Sequence, residues 1–211
     1  MMFANRQDAG RQLAKALSAY KGQHPLILAI PRGAVPMGKT LAGLLEGELD
    51  VVLVRKLTSP YSSEFALGAI DESGWAYIAD YAASAGGTPE YLEREKQRQM
   101  QTLRERRAQY TPLRPPIDPA GRIAIVIDDG LATGSTMIAA LHATRAKNPA
   151  KLICAVPVSP PDTLEKIRPL CDELVCLSAP PEFRAVGQFY MDFNQVSDDE
   201  VIDILKGQQA S

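Results

Sequence analysis

At 211 residues, with 45% hydrophobic and 23% charged content, the chain can bury a substantial core as one domain, residues 1–211, and is too apolar to be read as disordered. A formal net charge of −2 and a pI near 5.8 give no global field that would gather nucleic acid or an anionic membrane. Cys154, Cys171 and Cys176 are too few and too irregularly spaced for a zinc site or a disulfide framework, and read as thiols in a reducing cytoplasm.

The opening segment "MMFANRQDAGRQLAKALSAY" has no apolar stretch of signal-peptide length, and no run approaches the ~18 apolar residues of a membrane span. Ala9, Leu13, Ala16, Leu17 and Tyr20 recur at helical spacing, which predicts a helix over 8–20. "LILAI" (26–30) then reads as a buried strand, "MGKTLAGLLEG" as a helix and "LDVVLVRKL" (49–57) as a second strand with basic residues at its exit. Residues 58–118 read as an insertion: a loop and hairpin excursion to residue 88, flexible enough over 58–75 to act as a lid, then a charged helix over 89–110 starting at Pro89. Arg104, Arg106 and Arg107 interleave there with Glu93, Glu95 and Glu105, so this helix is expected to be solvated or to face a second copy in a homodimer. Beyond the proline-rich "TPLRPPIDPAG", strands "RIAIVI", "KLICAVPV" and "ELVCLSA" alternate with helices "STMIAALHATRAK" and "PDTLEKIRPL". The pattern predicts an α/β fold: a doubly wound, mostly parallel five-stranded sheet with helices on both faces, ending in a small C-terminal hood over 180–211.

Two loops compete as phosphate cradles. "PRGAVPMGKT" has Gly33, four intervening residues, then Gly38, Lys39 and Thr40, the spelling of a nucleotide-binding P-loop. Pro36, however, has no N–H where the cradle needs a donor, and Val35 is β-branched where such loops need glycine-like freedom. "IAIVIDDGLATGSTM" suits the task better. Asp128 and Asp129 end a strand, Gly134 lets backbone approach a ligand, Thr133, Ser135 and Thr136 supply hydroxyls, and a helix start attracts an anion. Paired carboxylates one phosphoester away from a monophosphate cradle fit the hydroxyls of a ribose 5-phosphate.

"VIDDGLATGST" resembles the 5-phosphoribosyl pyrophosphate (PRPP) signature of the type I phosphoribosyltransferases, and "IPRGAVP" resembles that family's pyrophosphate loop. The likeness extends over about 8–57 and 120–180. The whole chain, including "RKLTSPYSSEFALGAIDE", the charged middle helix and "FRAVGQFYMDFNQVSDDEV", further resembles a bacterial group of stand-alone phosphoribosyltransferase-like proteins. By that resemblance Asp128 and Asp129 bind the ribose hydroxyls, Ala132, Thr133, Gly134, Ser135 and Thr136 the 5-phosphate, and Pro31, Arg32 and Gly33 the pyrophosphate. Arg55 and Lys56 are candidates to reach pyrophosphate from the side. The implied reaction transfers the phosphoribosyl group of PRPP to a nitrogenous base and releases pyrophosphate. Asp128, Asp129 and Arg32 would be the catalytic groups, and Mg2+ would be held mainly by PRPP and water, so no dedicated protein metal site is expected.

Some 6-oxopurine enzymes of the family carry an acid where this chain has Ala132, which leaves the loop without an evident proton acceptor. Base recognition is therefore expected from the hood, with Phe183 and Tyr190 as stacking candidates and Phe189 and Phe193 nearby. The other readings are a non-catalytic PRPP sensor and a P-loop NTPase.

Overall fold

The computed structural model describes residues 1–208. Helix α1 (Arg6–Ala16) is capped by Asn5, whose side chain accepts from the Asp8 N–H, and ends four residues before Tyr20, which falls in a 3-10 turn instead. Strand β1 (Leu26–Ala29) is fully buried, and α2 (Ala34–Leu45) returns to β2 (Glu48–Val51), which pairs parallel with β1. Helix α2 begins three residues earlier than expected because Pro36 falls in its first turn, where a missing N–H costs nothing.

The apolar run 49–57 is two strands in two sheets rather than one. Val52 N–H makes a last bond to Ala29 O at 3.1 Å, the chain turns, and β3 (Val54–Ser59) starts an antiparallel meander with β4 (Ser62–Asp71) and β5 (Ala76–Ile78). Val51, Leu53, Val54 and Leu57 are all buried, so the hydrophobic pattern runs on without a break while the backbone changes sheet. The expected loop over 58–75 is accordingly mostly strand, with an exposed tip near Tyr61. A Cβ at Gly68 would overlap the carbonyl of Tyr77, which explains a glycine in mid-strand.

Helix α3 (Pro89–Tyr110) packs on β3 and β4 and is followed by β6 (Ile123–Ile127), α4 (Ser135–Arg145), β7 (Lys151–Val158), α5 (Pro161–Ile167) and β8 (Glu173–Ser178). The main sheet runs β2-β1-β6-β7-β8, all parallel, as the five-stranded reading expected. Its order reverses between β1 and β6, and the crevice beyond the carboxyl ends of two such strands is where a ligand can enter.

The C-terminal region holds an unexpected helix, α6 (Asp198–Gly207), capped by Ser197. The last three residues of the expected hood lie outside the described residues. Phe3 laces the N-terminus to this region: its N–H donates to Phe189 O and its carbonyl accepts from Met191 N–H, each at 2.8 Å. No helix among the described residues is long and apolar enough to cross a membrane.

Candidate active site

The loops after β1 and β6 meet at the switch point and, with β3 and β4, enclose a cavity of about 290 Å3. It is lined by Pro31 and Gly33 from the first loop, by Asp128, Asp129 and every residue from Gly130 to Thr136 from the second, by Lys56 and Glu64 from the meander, and by Val186. Every residue named for the ribose and 5-phosphate therefore faces one space. Gly134 takes φ +82° as it leads into α4, a conformation that favours glycine, and a Cβ there would press on Thr163. Thr163 in turn donates to Ala132 O at 2.6 Å, fixing the loop from α5. Thr133 and Ser135 hydroxyls lie 3.1 Å apart, and the first N–H groups of α4 have no acceptor within the helix. The Ser135 N–H makes a long bond to Thr133 Oγ1 at 3.4 Å, and the result is an anion cradle of hydroxyls and helix-start amides.

Asp128 and Asp129 sit side by side. The Asp129 N–H donates to Asp128 Oδ1 at 2.9 Å, and Asp129 Oδ2 accepts from Arg6 Nε at 3.0 Å. Burial, and then the neighbouring Asp129 charge, push the Asp128 carboxyl well above the usual range. Burial also raises Asp129, against the pull of Arg6.

A carboxyl whose folded pKa lies above its unfolded value keeps its proton in the native state after the unfolded chain has lost it. Stability then falls as pH rises through that window, and above it the cost is fully present. Asp128→Asn is thus expected to raise the melting temperature of the ligand-free protein at neutral pH. The gain over wild type should shrink as pH is lowered into the ordinary carboxyl range, as read by calorimetric melts at several pH values.

The other pyrophosphate candidates lie outside this cavity. Arg32 pairs with Asp198 at the start of α6, at 3.5 Å, and Arg55 Nε donates to Gln99 Oε1 on α3 at 2.9 Å. Burial, then the charges of Arg106 and Arg32, lower the pKa of Arg55. Lys56 faces the cavity because β3 turns it inward rather than ending before it.

Tyr190 is 6% exposed, packs between Phe3 and Phe193, and donates its hydroxyl to Asp129 O at 2.7 Å. Phe183 stacks on Phe189 with ring centroids 5.3 Å apart and does not line the cavity. These two rings support the hood instead of presenting a face to the site. The side chain that reaches the cavity from the hood is Val186, close enough to Gly130 that a Cβ there would collide with it. Val186 and Arg6 were not legible as site residues, since a valine in a loop and an arginine in the first turn of an amphipathic helix carry no spacing that marks them.

The P-loop spelling dissolves in the same geometry. Gly38 lies inside α2, where a Cβ would come within 2.8 Å of Leu49 and 3.2 Å of Ala29, so this glycine allows close helix–sheet packing. Lys39 is exposed and lines a separate cleft with Asp199, Glu200 and Asp203. Lys39→Ala should leave PRPP affinity within about twofold, as for a surface change worth less than ~0.5 kcal/mol, and neither form should bind ATP in calorimetry. Micromolar ATP affinity that disappears in the variant would show the wrong loop had been chosen.

Residues 3–194 match the phosphoribosyl transferase domain family. The chain belongs to that family. The crystal structure of TT1426 from Thermus thermophilus superposes with a TM-score of 0.82 at 42% identity, covering 99% of each chain. Two Mycobacterium tuberculosis proteins, MT0597 and Rv0571c, which carry provisional names as phosphoribosyl transferases, are each 40% identical over 207 residues, or 97% of this chain. The match covers 46% of each of those proteins, so the chain spans about half the length of these curated relatives.

Proposed function

We propose that this phosphoribosyl transferase family member transfers the 5-phosphoribosyl group of PRPP to a nitrogenous base, or runs the reverse reaction. The observation that carries the reading is the convergence of Asp128 and Asp129 with the hydroxyl-rich start of α4 in one cavity. Ribose hydroxyls donate to the carboxylates, and the 5-phosphate takes the Thr133, Ser135 and Thr136 hydroxyls and the free N–H groups of the helix start. A bond forms from the base nitrogen to the anomeric carbon while the bond from that carbon to the diphosphate oxygen breaks. The nitrogen's proton passes to a base or to water.

The residues present suit a ligand-borne magnesium. A diphosphate offers the oxygens this ion prefers, and it would sit beside Lys56 and Gly33 in the cavity. Bound that way, the ion would neutralise charge on the departing pyrophosphate. The chain contributes Lys56 and the Gly33 backbone to the same charge, and the ribose acids lie near the positive charge that develops on the sugar. Arg32 would join them on leaving Asp198. The closing surfaces are the β3–β4 tip, which brings Glu64, and Val186, and both would keep water from the reacting carbon.

The direct test is pyrophosphate release when the protein, magnesium and PRPP are mixed with a panel of purine and pyrimidine bases. Release with one base and not with the others supports the transferase reading and names the acceptor. Tight PRPP binding with no release from any base would favour a PRPP sensor.

A further inference from the structure

We infer that Arg6 is a positioning residue of the active site, holding Asp129 in place and ionised so that it can accept from the ribose, and that the N-terminal segment is therefore part of the site. The inference rests on the PRPP reading above and extends it to a residue far from either sequence motif.

Arg6 is 123 positions from Asp129 in sequence, yet its guanidinium is committed on three sides. Nε donates to Asp129 Oδ2 at 3.0 Å, Nη1 donates to Asn194 O at 2.6 Å, and the guanidinium carbon sits 4.1 Å from the centre of the Phe193 ring. The side chains of Arg6 and Asp129 are only 11% and 14% exposed, so water screens the pair weakly. The backbone beneath Arg6 is equally fixed. Asn5 caps α1 on Asp8, Ala4 N–H donates to Asp8 Oδ2 at 2.9 Å, and Asp192 N–H donates to Ala4 O at 3.0 Å. Phe3, fully buried between the bonds it makes to Phe189 and Met191, ties the whole turn to the hood. The Pro31–Gly33 loop closes on the same Asp129 Oδ2 so tightly that Gly33 has no room for a side chain.

Such a mounting is needed because Asp129 has few other reasons to stay charged. The groups facing it are Asp128 on its own loop, Arg6 on α1 and the Tyr190 hydroxyl, which donates to its carbonyl. Lys56 on β3 acts mainly on Asp128, and Asp8 lies further along α1. Only Arg6 supplies a cation in direct contact among the described residues. A planar fork that can serve a carboxylate, a carbonyl and an aromatic face together is a task for arginine, and lysine would keep the charge but lose two of the three contacts.

The test is calorimetric binding of magnesium PRPP between pH 7 and 9 to the wild type, Arg6→Gln and Arg6→Lys, with melts to confirm folding. Wild-type affinity should be nearly flat with pH. Arg6→Gln should bind at least tenfold more weakly at pH 7 and regain part of that loss as pH rises and Asp129 ionises; Arg6→Lys should lie between. If Arg6→Gln does not fold, Arg6→Lys carries the test: it keeps the charge but not the fork, so weaker binding at every pH supports the positioning role and wild-type binding overturns it. Undiminished binding by the variants, or a loss equal at every pH with lysine no better than glutamine, would overturn the positioning role while leaving the PRPP reading intact. Failure of the wild type itself to bind PRPP would overturn that reading, and this inference with it.

Discussion

Magnesium PRPP at about a hundredfold above its dissociation constant is expected to stabilise the protein by roughly 2.7 kcal/mol, and so to raise its melting temperature by roughly 5–11 °C for a domain of this size. The double variant Asp128→Asn, Asp129→Asn should lose most of that shift, because the ribose hydroxyls lose both charged acceptors and neutral amides offer weaker ones. The ligand-free melting temperature of the double variant will reflect two opposed effects. Neutralising Asp128 relieves a buried charge, whereas neutralising Asp129 leaves Arg6 without its partner. The informative quantity is therefore the PRPP-induced shift measured within each protein. Thr136→Val should reduce the shift by a smaller amount through the 5-phosphate, and ATP should produce little. A double variant that folds and still shows the full shift would remove the ribose assignment, and with it the case for phosphoribosyl transfer.

The parts of this site that the sequence makes legible are those built from consecutive residues. A strand, two acids, small residues, hydroxyls and a helix start follow one another over 123–137, so the chemistry and its geometry are written in the same short segment. The sheet was legible for the same reason, since each strand and helix carries its own period. What escaped depends on where the backbone turns. The run 49–57 stays apolar across Val52 and Leu53 while changing sheets, and this turn decides that Lys56 faces the cavity while Arg55 reaches Gln99. The start of α6 is marked in the sequence, because Ser197 caps and Glu200 follows three residues later with acids between, although no apolar run as long as the others announces a helix there. The aromatic residues of the hood looked like base platforms because stacking surfaces and core residues share a composition. Only packing shows that Tyr190 and Phe183 spend their faces on Phe3, Phe193 and Phe189.

Gly33→Ala is expected to weaken PRPP binding severely. The glycine has φ −57°, an ordinary helical value, so alanine meets no backbone penalty, and any loss must come from contact alone. That contact is with Asp129: an added Cβ would overlap Oδ2 and approach Cγ to 3.1 Å, with Arg6 Nη2 just behind at 3.5 Å. The carboxylate cannot simply swing aside, since Arg6 holds it and is itself held by Asn194 and Phe193. Either the Pro31–Gly33 loop is pushed out of the cavity or the Arg6–Asp129 pair is broken, and separating a poorly solvated pair costs about 3–5 kcal/mol. PRPP affinity should fall by roughly two to three orders of magnitude at about 1.4 kcal/mol for each tenfold. Gly43→Ala is the matched control, because its Cβ would meet nothing within 4 Å and it lies in the helix that Gly33 caps; there alanine should stabilise by about 0.5–1 kcal/mol with PRPP binding unchanged. If both variants bind PRPP like wild type, the close seating of Asp129 against the first loop has no part in holding the ligand, and the two loops that meet at the switch point would be neighbours without being one site.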